Sequence, residues 1–204
     1  MNTLLTLLQS LPWEPLAVAL ALAYLVLAAR EKLACWSCAF VSSAIYVALM
    51  WQARLYMEAA LSVYYVAMAV YGYRQWRRGG PGNRALPITT LRPSAHVAIL
   101  GATLLLTLLS GSVLSRYTGA AMPFLDSWIT WASVITTYLV ARKVLENWLY
   151  WLVIDSISVV VYLNRGLEQT SGLFVVYLVL AAIGYRDWRR TYLNHGTTCT
   201  ALLS

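Results

Sequence analysis

Asp155 stands in the middle of the apolar run from Trp148 to Leu163, where an ionised carboxylate costs about 3 kcal/mol on insertion scales. A residue that expensive normally faces a polar cavity. Trp148, Trp151, Asp155, Ser158 and Tyr162 follow at i, i+3, i+7, i+10 and i+14, so one helix face carries two indoles, a carboxylate and two hydroxyls. Aromatic faces attract cations by about 0.5 to 2 kcal/mol each, and a desolvated carboxylate pairs charge or accepts from an amino group. The face therefore reads as one wall of a site for a flat, cationic ligand. In the competing reading Asp155 accepts from neighbouring Ser, Thr or Tyr hydroxyls and only holds helices together.

Further wall candidates come from other apolar runs: Trp131, Thr136 and Thr137 from one, and Trp36, Tyr64, Tyr65 and Tyr177 from three more. Each aromatic has a plain alternative in helix packing or interface anchoring. Asn147, with Glu146, heads the Asp155 run and either caps it or touches ligand.

The elements that must position these residues come in two copies. Gly72-Tyr73-Arg74-Gln75-Trp76-Arg77-Arg78 returns as Gly184-Tyr185-Arg186-Asp187-Trp188-Arg189-Arg190, an offset of 112. The same offset aligns Arg30 with Arg142, Leu33 with Leu145, Trp36 with Trp148, Leu55 with Leu167 and Tyr65 with Tyr177 without a gap. Ser43 then matches Asp155, and Ala39 matches Trp151, so the halves share architecture but differ in chemistry.

With 204 residues, 60% hydrophobic and 11% charged, and a mean hydropathy of +0.64, the chain is a polytopic membrane protein. Spans centre on Leu16 to Ala29, Leu33 to Trp51, Ala59 to Tyr73, His96 to Leu114, Trp128 to Ala141, Trp148 to Leu163 and Leu173 to Tyr185. Several are shorter than the about 20 residues a crossing helix needs, so flanking Trp and Tyr extend them into the interface. The expected fold is all-α, seven transmembrane helices arranged 3+1+3. Both copies close on the same basic cluster, which requires a parallel repeat. Residues 1–78 form the first three-helix bundle, 79–120 a Gly/Pro-rich linker and connecting helix, 121–190 the second bundle, and 191–204 a tail with His195 and Cys199 to which no role is assigned. The first 29 residues lack a basic leader and belong to the mature fold.

Arg30, Lys32, Arg74, Arg77, Arg78, Arg84, Arg92, Arg142, Lys143, Arg186, Arg189 and Arg190 fall on one face, against Arg54, Arg116 and Arg165 on the other. The first face is cytoplasmic by the positive-inside rule, with the N terminus outside and the C terminus inside. That bias accounts for the net charge of +7 without nucleic acid. Cys35 and Cys38 have metal-like spacing but lie in an apolar run, where free cysteines pack as small hydrophobes. His96, at the edge of its span, is interfacial. No Walker-type motif appears, and a single mid-membrane acid supports no proton relay, which leaves a uniporter. The rival class is an intramembrane enzyme acting on lipid, but His96, His195 and Asp155 lie in separate regions.

From Arg142-Lys143-Val144-Leu145-Glu146-Asn147-Trp148 through Trp151 to Asp155, and at Tyr71-Gly72-Tyr73 with Trp76 and Gly184-Tyr185 with Trp188, the sequence resembles the PnuC family of bacterial vitamin transporters. The resemblance implies two three-helix bundles joined by a linker helix, similar to the SWEET sugar transporters, in the inner membrane. It also implies facilitated diffusion of an unphosphorylated vitamin that a cytoplasmic kinase traps, a homotrimer, and no cofactor. Family members carry nicotinamide riboside, and the PnuT branch carries thiamine. Ser62 stands here where nicotinamide riboside carriers resemble one another in having Gln, and Asp155 where they often have Asn. Loss of amides weakens carboxamide recognition. Thiamine is therefore the expected substrate, with nicotinamide riboside the alternative.

Overall fold

The computed structural model describes residues 13–52, 56–117 and 122–201, with side chains up to Asn194 apart from those of residues 56 and 57. Arg54, Leu55 and the His195 and Cys199 side chains lie outside the described residues. Among those described, the chain forms seven α-helices: α1 Trp13–Ala29, α2 Cys35–Gln52, α3 Tyr56–Arg78, α4 Pro93–Tyr117, α5 Pro123–Ala141, α6 Asn147–Asn164 and α7 Glu168–Ala201. Three of them, α2, α4 and α7 as far as Asn194, are long and apolar enough to cross a membrane by length and composition, and α1 is a shorter apolar helix.

Local sequence sets the ends. Pro93 and Pro123 open α4 and α5, where proline's missing N–H costs nothing and its φ suits the first turn. Gly166, at φ 72, stops α6: its N–H and that of Leu167 turn back to the carbonyls of Leu163 and Tyr162. Helices α3 and α7 outrun the predicted spans Ala59 to Tyr73 and Leu173 to Tyr185, because the basic Arg-rich turns continue as helix beyond the apolar stretch. Part of the backbone of the 191–204 tail likewise continues α7, to Ala201.

Helix α2 packs between α1 and α3, α6 packs on α5 and α7, and α4 packs along α5. Two further contacts join the sets, α1 with α7 and α3 with α5. The core sits at their meeting point, where Trp36, Trp76, Trp148 and Trp188 pack among Ala28, Ala29, Ala69, Ala141 and Ala181. Such small residues let helix backbones approach closely when lipid supplies no hydrophobic driving force. A Cβ on Gly72 would stand 2.4 Å from the Trp36 ring, and one on Gly184 would stand 2.7 Å from the Trp148 ring. Each glycine thus clears room for one indole.

After α3 the chain turns through a short 3₁₀ segment, Pro81–Asn83, and runs along the loop between α5 and α6. Thr89 N–H donates to the Lys143 carbonyl at 3.0 Å, and Leu145 N–H donates to the Thr89 carbonyl at 2.8 Å. The Glu146 carboxylate accepts from Leu91 N–H at 3.2 Å, so this acid stands at the N-cap position of α6 but spends its side chain on the linker and makes no cap hydrogen bond. His96 packs inward as well, its Nδ1 2.7 Å from the Tyr150 hydroxyl with the rings stacked.

Candidate functional site

A cavity of about 310 Å³ opens between the helices, at the lower end of the range for small-molecule sites. Helix α6 presents Trp148, Trp151, Ile154, Asp155 and Ser158 to it, one stripe at helical spacing. Helix α2 answers with Trp36, Ala39, Ser42, Ser43 and Tyr46. Tyr65 of α3, Ser133 and Thr137 of α5, and Phe174 and Tyr177 of α7 complete most of the remaining wall, together with Tyr24 of α1.

Asp155 is 3% exposed, and no described side chain donates a hydrogen bond to its carboxylate or forms an ion pair with it. Three of the hydroxyls that the competing reading could use are engaged elsewhere. Ser158 Oγ donates to the Ile154 carbonyl at 2.9 Å, Thr137 Oγ1 to the Ser133 carbonyl at 2.7 Å and Ser42 Oγ to the Ala17 carbonyl at 2.8 Å. A hydroxyl has one proton, so each of these has none left to donate to Asp155. The indole N–H groups of Trp36 and Trp148 are also buried without a partner. Buried polar groups are ordinarily paired, so a carboxylate left single on the cavity wall describes a surface able to take a ligand. Its carboxylate suits a cation, and its apolar walls suit flat rings.

Of the residues singled out from sequence, Trp36, Tyr65, Thr137, Trp148, Trp151, Asp155, Ser158 and Tyr177 come together on the cavity. Trp131, Asn147 and Tyr162 do not line it. Trp131 Nε1 donates to Ser110 Oγ at 3.0 Å and ties α5 to α4. Asn147 is fully buried, its Nδ2 bonded to the Val144 carbonyl at 2.6 Å. Tyr162 stacks on Phe174 with ring centres 5.2 Å apart, one layer behind the wall. Tyr64 donates to the Val134 carbonyl, and Ser62 to the Glu58 carbonyl of its own helix. Cys35 is buried and Cys38 half-buried, both free thiols, and the described residues gather no metal-binding group around them.

Tyr24, Tyr46 and Ser133 were missed. The 112 offset carried the signal for two of them, since Tyr46 matches Ser158 and Ser133 matches Ala21, which also lines the cavity.

Comparison with known proteins gives concordant findings. The chain is 24% identical over 196 residues to the nicotinamide riboside transporter PnuC of Escherichia coli (strain K12), covering 84% of this chain and 82% of that one. It is 26% identical over 174 residues to the riboflavin/roseoflavin transporter RibM of Streptomyces davaonensis, covering 83% and 80%. A crystal structure of the vitamin B3 transporter PnuC superposes with a TM-score of 0.71 at 19% identity, covering 95% of this chain and 87% of that one, and so shares its fold. The family model described as nicotinamide mononucleotide transporter matches residues 11–190, and the chain belongs to that family of membrane transporters, the PnuC family.

Proposed function

We propose that this transporter takes up an unphosphorylated, cationic pyridinium nucleoside of the nicotinamide riboside type, by uniport through alternating access. The observation that carries the reading is the unpaired Asp155 carboxylate on a cavity walled by Trp36, Trp148 and Trp151. A pyridinium ring offers that carboxylate a delocalised positive charge and offers the indoles a flat face. Relatives named for nicotinamide riboside add weight, and move the preferred substrate from thiamine to the nucleoside. Riboflavin, named for another relative, has no cation for Asp155 and a larger ring system for a 310 Å³ cavity.

The departures at Ser62 and Asp155 still favour thiamine as the second reading. The basic loops lie in the cytoplasm with the N terminus outside, and a cytoplasmic kinase makes uptake one-way by phosphorylating the vitamin. A homotrimer would have the leucine-rich outer face of α4, with Leu100, Leu104 and Leu108 exposed, available for its contacts.

Calorimetric titration of the purified protein with nicotinamide riboside, thiamine, riboflavin and a neutral sugar tests the assignment. The expected order is nicotinamide riboside, then thiamine, with the two neutral compounds at least about tenfold weaker, since each decade reflects 1.4 kcal/mol of charge recognition. Riboflavin binding as tightly as either cation would overturn it.

A further inference from the structure

We propose that Glu31 and Lys143 are the latch of a gate that closes the basic end of the cavity, over a plug made by Trp76 and Trp188. The proposal rests on the alternating-access reading. Helices α1 and α5 stop in the same way. Glu31 N–H returns to the Ala28 carbonyl at 3.0 Å and Lys32 N–H to that of Leu27 at 2.9 Å; Lys143 N–H returns to Val140 at 3.0 Å and Val144 N–H to Leu139 at 3.0 Å. This pair of crossing bonds needs a left-handed residue, for which glycine is the ordinary choice. Here Glu31 sits at φ 54 and Lys143 at φ 52. Both positions thus carry a Cβ where it is unfavourable. Glu31 further sets a negative charge at the negative end of a helix.

What offsets these costs is that the two side chains meet. Lys143 Nζ lies 2.8 Å from Glu31 Oε2, with the side chains 9% and 22% exposed. The partners are 112 positions apart, the offset that relates the halves, so equivalent points on the two bundles are joined with opposite charge. Glycine at either place would end the helix more comfortably and lose the tie.

Beneath the ion pair the ties are reciprocal. Trp76 Nε1 donates to the Val140 carbonyl at 3.1 Å, and Trp188 Nε1 to the Ala28 carbonyl at 2.9 Å. Each ring thus reaches from the last helix of one bundle to the closing turn of the first helix of the other. The two rings touch at 5.7 Å, and they stand edge-on to Trp36 at 5.4 Å and Trp148 at 5.5 Å, which line the cavity. Lys143 Nζ lies 4.8 Å from the centre of the Trp76 ring, linking latch and plug. All four tryptophans are 3% exposed or less, so the path from cavity to basic face is shut here. Moving the bundles apart at this end breaks two indole–carbonyl bonds and the ion pair together, as a two-state gate requires.

The test is ligand-free. Spin labels at Arg30→Cys and Arg142→Cys, both exposed and 112 apart, report the separation of the two loops in a Cys35→Ser, Cys38→Ser, Cys199→Ser background by pulsed electron resonance. The parent should give one short distance. Glu31→Lys should raise the ratio of long to short distances by on the order of tenfold, the usual size of coupling between contacting charges. Adding Lys143→Glu to Glu31→Lys should restore the short distance, a rescue that a misfolded single variant could not show. Identical distance distributions in the parent and Glu31→Lys would overturn the latch, as would failure of the double exchange to restore the short distance. Because no vitamin is added, a wrong substrate assignment would leave this outcome unaffected.

Discussion

At Asp155 the cost of burying a charge and the use of that charge meet in one side chain. With no hydrogen bond or ion pair from a described side chain, the carboxylate is worth holding in the membrane only if something charged arrives. Asp155→Asn keeps the shape and removes the charge. It should weaken nicotinamide riboside binding at least about tenfold, because a charge-assisted contact in a desolvated site is lost. A neutral compound that binds measurably should change by less than about twofold, and calorimetry on both variants decides this. Spacing along one helix identified the Trp148, Trp151, Asp155 and Ser158 stripe because period alone settles which residues share a face. It placed Tyr162 on the same face, yet could not reveal that Phe174 of α7 closes the cavity before it. Trp131 failed for a related reason: its partner Ser110 lies on α4, and a single-helix pattern carries no record of that neighbour.

Among elements, the repeated Gly-Tyr-Arg-x-Trp-Arg-Arg motif was legible as a repeat carried by equivalent helices, α3 and α7, while its packing was not. In the fold its glycine makes room for an indole and its tryptophan bonds across to the other set of helices. Neither function can be read without knowing which helices touch. Gly184→Ala would bring a methyl within 2.7 Å of Trp148, which must shift inside a packed core. A loss of about 1 to 3 kcal/mol is expected, seen as a Tm lower by on the order of 5 °C in detergent. Gly172→Ala, in the same helix with nothing within 4 Å of the added carbon, should leave Tm unchanged or slightly higher. Equal losses at both sites would show that the motif glycine has no special packing task. Trp76→Phe and Trp188→Phe each remove one indole–carbonyl bond while the carbonyl keeps its backbone partner, at a cost of about 1 kcal/mol, and should lower Tm by matching amounts if the two ties are equivalent.

Across the whole molecule, the proposed uniport has the charge that crosses the membrane in one cycle set by the ligand and not by the carrier. Asp155 is fixed to the protein, so whatever field it crosses with ligand bound it recrosses when empty, and the net transfer is the vitamin's single positive charge. The membrane potential then contributes about 2.3 kcal/mol per 100 mV, which permits roughly fortyfold accumulation without any coupled ion. Proteoliposomes with an imposed inside-negative potential should therefore concentrate nicotinamide riboside to a plateau that rises with voltage and disappears when the potential is collapsed. Asp155→Asn should slow the approach to that plateau at low ligand concentration while leaving its height unchanged, since affinity belongs to the carrier and the driving force to the cation. A plateau that ignores voltage, or one whose height changes with the Asp155 side chain, would mean that another charge moves in the cycle and that uniport is the wrong mechanism.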